Sequence, residues 1–186
     1  MNIILGRNRN AQIMMFFILF CSFVTVAEAQ ILVEKPKTEF VCTEDKDMVV
    51  GKTTLEGLSK NQNFWIEYNF HYGRYEVDKA VVEQITQLLS DRKIKITIIT
   101  ATWCSDSKEQ FPVFWKVIEQ LPMNTDSIDI ICVDRDKLAG DVNLAPFNME
   151  FIPAFIFYEN DIELGRIVET PSETMEKDIL QIISKK

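Results

Sequence analysis

One cysteine, Cys104, sits in the segment Ala101-Thr102-Trp103-Cys104-Ser105-Asp106-Ser107, between a run of β-type residues and the start of a helical pattern. At such a junction the first helical N–H groups and the positive end of the helix dipole favour a thiolate, the form of cysteine that attacks disulfides. Two-thiol redox sites place a second cysteine three residues after the first, and here that residue is Ser107. The spacing therefore offers a nucleophile without the thiol that would expel what it captures. Ser107 Oγ keeps one option, a hydrogen bond donated to the Cys104 sulfur that stabilises its charge.

The other cysteines and the histidine have plainer readings. Cys132 lies inside the apolar run Ile128 to Val133 and reads as a small core residue. Cys42 lies in a charged N-terminal arm. It restores a resolving thiol only if its Cα comes within roughly 7 Å of that of Cys104. His71 is the single histidine and stands among aromatics, without the carboxylate–histidine–nucleophile pattern of a general base. No C-x-x-C pair, zinc spacing or calcium-loop spacing is present, so neither a metal nor a cofactor is expected. Glu44-Asp45 and Asp134 to Asp136 read as solvated loops.

The elements that must position Cys104 follow from periodicity. Ile94 to Ala101 is β-branched and becomes continuously apolar, as in a buried central strand. Ser105 to Leu121 predicts a helix with Phe111, Phe114, Trp115, Ile118 and Leu121 on one face. Ile128 to Val133 is a second buried strand, and strand–helix–strand order makes the two strands parallel. Ala154 to Tyr158 and Ile162 to Val168 form a hairpin around Glu159-Asn160-Asp161. A last helix is predicted with Thr170 as N-cap, Pro171 as its first residue and Glu173 as reciprocal cap. Its buried face carries Met175, Ile179, Ile182 and Ile183. Upstream, Met48 to Gly51 predicts a short strand, and Asp78 starts a helix reaching Ser90. Trp65, Tyr68, Tyr72 and Tyr75 recur at helical spacing, as a stripe that packs into the core or over an edge.

The N-terminus reads as an address. Arg7 and Arg9 precede the apolar stretch Ile13 to Val26, and Ala27-Glu28-Ala29 offers small residues for cleavage. The expected organisation is a signal peptide over 1–29, an N-terminal arm and aromatic helical extension over 30–76, and an α/β domain over 77–186. Export to a periplasm or the cell exterior is expected, with membrane anchoring the alternative if the segment is uncleaved. Cys21 is then signal-peptide filler. The net charge of −8, more acidic still once the leader is removed, argues against nucleic acid as a partner.

Four features in register now resemble the thioredoxin superfamily over about Ile94 to Ile183. They are the pair Trp103-Cys104, Pro112 eight residues after Cys104, the pair Ile152-Pro153, and Asn160-Asp161 at the hairpin. The resemblance implies a thioredoxin-like α/β fold, a central mixed sheet flanked by helices, here with an N-terminal helical extension. It implies a cis peptide bond at Ile152-Pro153 facing the sulfur, with Trp103, Ile152 and Pro153 shaping a client groove. The sequence departs from the family at Ser107, at Ile98 where a buried aspartate is common, and at Glu169 where glycine is usual. Asp106 and Glu169 would bring two carboxylates near Cys104, each disfavouring a thiolate. The resemblance implies a monothiol exchange protein working through Cys104, with Ser107 and Trp103 beside it. Its partner would be a cysteine-containing client or a low-molecular-weight thiol. The alternative is an inactive binding module that retains client thiols or peptides.

Overall fold

The computed structural model describes residues 39–41 and 48–185, all within one compact unit of the chain. The signal-peptide reading, Cys21 and Cys42 fall outside the described residues. The elements are, in order, β1 (Glu39–Val41), β2 (Met48–Thr53), α1 (Leu55–Ser59), α2 (Gln62–Arg74), α3 (Lys79–Leu89) and β3 (Ile94–Thr100). There follow α4 (Ser105–Ile118), β4 (Asp129–Cys132), β5 (Ala154–Glu159), β6 (Ile162–Val168) and α5 (Met175–Ile183).

The six strands make one mixed sheet in the order β1-β2-β4-β3-β5-β6. β3 and β4 are parallel, with Ile98 opposite Ile130 and Thr100 opposite Cys132. Every other pairing is antiparallel. Asn160 and Asp161 turn the β5–β6 hairpin with φ of 51° and 62°. Two successive positive φ values match the twist of the flanking strands, and asparagine and aspartate tolerate them best after glycine.

Strand alternation divides the interior into two faces. Ile96, Ile98, Ile130, Cys132, Phe155 and Phe157 point to the face that carries the helices. Phe64 and Tyr68 of α2 share that cluster with Phe111, Phe114, Trp115 and Ile118 of α4, so the aromatic helix is part of the main core. The rings interlock: Phe64 meets Phe111 edge-on and Trp65 stacks on Tyr68. Lys116 secures the contact by donating to the Tyr72 and Tyr75 carbonyls at the C-terminal end of α2, both at 2.7 Å.

Ile99, Ala101, Ile131, Val133, Ala154 and Ile156 point to the opposite face. An irregular segment between β4 and β5 covers it, through Val142, Leu144, Phe147 and Met149, together with Trp103 and Cys104. Helices accordingly crowd one side, and the site lies on the other side at the C-terminal end of β3.

The last helix starts later than the Thr170-Pro171-x-Glu173 pattern predicts. Thr174 is the N-cap, accepting from the Lys177 N–H at 3.4 Å, and the helix begins at Met175. The buried Asp178 carboxylate takes the N–H groups of Ser172 and Glu173 at 2.7 and 3.3 Å. Those donors are thereby satisfied outside the helix, which removes the need for an earlier turn. The α3 start is as read, with the Asp78 carboxylate accepting from the Ala80 and Val81 N–H groups.

Candidate functional site

Cys104 is the N-cap residue of α4, with φ −81° and ψ 130°, and its side chain caps no helical N–H. Its backbone carbonyl accepts from the Lys108 N–H at 3.1 Å, so the chain turns into the helix directly after it. The sulfur is half-buried and free of any disulfide. It lies 3.8 Å from the Ile152 carbonyl oxygen. The Ile152-Pro153 bond is cis, as the resemblance implies, and both residues are buried. Trp103 donates its indole N–H to the Val133 carbonyl at 3.0 Å, and the Arg135 guanidinium lies 5.1 Å from its ring centre. These contacts fix the ring beside the sulfur and bring Trp103, Cys104, Ile152 and Pro153 into one patch.

Ser107 does something else. Its side chain is fully buried, and its Oγ accepts from the Ala101 N–H at 3.2 Å. The hydroxyl thus ties the first turn of α4 to the end of β3 and makes no hydrogen bond to the Cys104 sulfur. The partner this hydroxyl meets is the Ala101 N–H, left without a ladder partner at the end of β3, where the sequence offered the Cys104 sulfur as an option. Ile98 is fully buried among apolar residues, so the strand beneath the site carries no ionisable side chain at that position. Pro112 is buried within α4.

The two carboxylates sit at the margins. Asp106 is in the first turn of α4 and half-buried. Glu169 is exposed, and its N–H donates to the Pro153 carbonyl at 2.7 Å, which places its backbone against the cis-proline segment. Its φ of 57° is the left-handed conformation that glycine adopts without cost, in keeping with the glycine that the resemblance implies there.

Cys132 is fully buried, and burial pushes its thiol far above the ordinary range. It points into the helical face, whereas Cys104 packs on the opposite face. The sheet lies between the two sulfurs, and Cys132 stays the core residue that its sequence context predicts. Among the described residues, no group of three or more histidine, cysteine or acidic side chains is placed to hold a metal ion.

One feature of the site escaped the sequence reading. A cleft of about 340 Å³ opens beside Cys104, lined by Glu67 and His71 of α2, Trp103, and Ser105, Lys108 and Glu109 of α4. His71 Nε2 lies 3.7 Å from the Glu67 carboxylate, one helical turn away. The signal that could have found it is the i,i+4 spacing of Glu67 and His71, but nothing local says that this pair faces α4.

A family model described as thioredoxin matches residues 51–181. No curated protein sequence matches the chain. Among solved structures, a protein of unknown function from Pseudomonas aeruginosa superposes with a TM-score of 0.54 at 14% identity, covering 71% of this chain and 92% of that one. A thioredoxin from Schistosoma mansoni is 25% identical with a TM-score of 0.36, covering 58% of this chain and 89% of that one. An Entamoeba histolytica thioredoxin mutant is also 25% identical, with a TM-score of 0.33 and coverage of 56% and 93%.

Proposed function

From the premise that this chain belongs to the thioredoxin family, which supports a thioredoxin-type redox role, we propose that it is an exported monothiol exchange protein acting through Cys104. The observation that carries the reading is the Cys104 sulfur at the head of α4, 3.8 Å from the Ile152 carbonyl, with a buried serine where a resolving thiol would stand. The Cys104 thiolate attacks one sulfur of a client disulfide, and the other client sulfur leaves as a thiolate. The extended client peptide lies along the segment that leads into Pro153, where Phe151 is exposed, and is held there by strand-like pairing. Ser107 cannot expel the client, so a second thiol, from the client or from solution, must attack the mixed disulfide. That chemistry suits disulfide isomerisation or removal of small-thiol adducts. Asp106 and Glu169 are the acidic side chains that border this site, and the leader at 1–29 directs export.

Alkylation of the mature chain by iodoacetamide tests the premise. The expected rate at Cys104 exceeds that of a small-molecule thiol at the same pH; a slower rate refutes the redox reading. Ser107→Cys is the complementary test, because it supplies the missing thiol within the first turn of α4. With no other thiol present, stoichiometric reduction of insulin disulfides by the pre-reduced variant is expected, against none by the parent chain.

The apolar side chain at Ile98 favours the second reading, a binding module without turnover, because β3 carries no buried acid at that position to move protons. That reading predicts slow alkylation of Cys104 and no gain of activity in Ser107→Cys.

A further inference from the structure

The cleft between α2 and the head of α4 has no part in holding an extended client, because Ile152 and Pro153 do not line it. Resting on the monothiol reading, we propose that it is the docking site of the resolving thiol, a low-molecular-weight compound carrying both a carboxylate and an ammonium group. Three observations carry this.

The first is position. Trp103 and Ser105, the two chain neighbours of Cys104, both line the cleft. Lys108 stands in the first turn of α4, and its N–H bonds to the Cys104 carbonyl at 3.1 Å, which sets the lysine one turn from the cysteine. Ser105 and Glu109 share one face of the helix. A molecule in the cleft is therefore within one helical turn of the sulfur, while the client occupies the Pro153 side.

The second is charge. Lys108 and Glu109 have no ion-pair partner among the described residues, and each presents one sign of charge to the cleft. A carboxylate meets Lys108 and an ammonium meets Glu109. The Glu67 carboxylate and His71 Nε2 face each other at 3.7 Å across the far wall. A purely anionic or purely cationic thiol would satisfy only half of this arrangement.

The third is size. About 340 Å³ is at the small end of the range for small-molecule sites and far below what a folded client needs.

The chemistry balances with this thiol as the reductant. The docked thiolate attacks Cys104 Sγ, and the client sulfur leaves with the electron pair as a thiolate that takes a proton from water. A second equivalent attacks the small-molecule sulfur of the new mixed disulfide. Cys104 departs as a thiolate, and the two small thiols leave as one disulfide. One client disulfide bond is reduced for two thiols oxidised.

The test uses the mature chain with Cys42→Ser, its Cys104 loaded with 5-thio-2-nitrobenzoate, whose release is read by absorbance. Glutathione and cysteine carry both charges, cysteamine only the cation, 3-mercaptopropionate only the anion, and 2-mercaptoethanol neither. Discharge by the two zwitterions is expected to saturate with concentration and to run about tenfold faster per thiolate than discharge by 2-mercaptoethanol. The singly charged thiols should gain less. Lys108→Gln and Glu109→Gln should each bring the glutathione to 2-mercaptoethanol ratio down toward that of the free chromogenic disulfide. Equal, unsaturable rates per thiolate for all five compounds would overturn the cleft while leaving the monothiol reading intact. Competition by an extended client-type peptide, with no preference among thiols, would assign the cleft to the client and overturn it as well. If Cys104 takes no label, both readings fall together.

Discussion

Glu169 gives the sharpest quantitative check on how this site is built. Its φ of 57° is a left-handed backbone, held by the 2.7 Å bond from its N–H to the Pro153 carbonyl. A residue with a Cβ in that conformation costs about 1–2 kcal/mol relative to its preferred regions. Glycine avoids the strain but loses about 0.5–1 kcal/mol more backbone entropy on folding than alanine does. The informative comparison is Glu169→Gly against Glu169→Ala, since both remove the carboxylate and both keep the N–H. Their difference isolates the backbone, with glycine more stable than alanine by about 0.5–1 kcal/mol after the two costs are set against each other. At an ordinary position the order is the reverse. Urea unfolding followed by far-UV circular dichroism, with a common m-value, reads the difference directly from the midpoints. In a thermal melt it corresponds to a rise of about 1–4 °C for a domain of this size. An alanine variant as stable as the glycine variant would refute the strain argument and the reading of 169 as a glycine-type position.

Three further outcomes follow from single groups. Thr100 is fully buried with a hydroxyl that finds no hydrogen-bond partner, whereas Thr102 Oγ1 accepts from the Val49 N–H at 3.3 Å. Thr100→Val should stabilise by about 1 kcal/mol and Thr102→Val destabilise by about 1–3 kcal/mol, and equal signs in chemical denaturation would contradict the assignment. Arg92 grips the Glu159 carboxylate with two N–H groups at 2.7 and 2.9 Å, which holds the Glu159 carboxyl below its ordinary value. A lowered folded-state value means stability that is present above the ordinary carboxylate pKa of 4.5 and is lost as pH falls through the lowered one. Arg92→Ala should flatten that acid limb of the stability profile, and an unchanged slope below pH 4.5 would argue against the pair. Cys132 should resist alkylation in the native chain because its thiol is buried and its ionisation suppressed, so mass mapping should find label on Cys104 and none on Cys132 until denaturant is added.

Much of this chain is legible locally. The β-branched run at Ile94, the turn residues Asn160-Asp161 and the Asp78 cap each specify their element through interactions a few residues long. The junction that carries Cys104 is legible for the same reason, because a strand feeding a helix places its linking residue at an N-cap whatever packs around it. The start of the last helix misled the sequence reading because a competing local device, Asp178 folded back onto Ser172 and Glu173, satisfies the donors that Thr170 would have capped.

Tertiary structure alone decided what the site can do. The sequence placed Ser107 one turn from Cys104, but only the packing of α4 on β3 presents the Ala101 N–H to its hydroxyl. The sequence placed Cys104 and Cys132 within one α/β pattern; sheet pleating put Cys132 on the face opposite Cys104. The aromatic stripe was visible as a helix, yet its docking on α4 brings Glu67 and His71 to the rim of Cys104's helix and makes the cleft. Periodicity and capping are decided within a few residues, so they survive in one dimension. Which buried donor meets which acceptor, and which face meets which, depends on segments dozens of residues apart, and only the folded chain sets them.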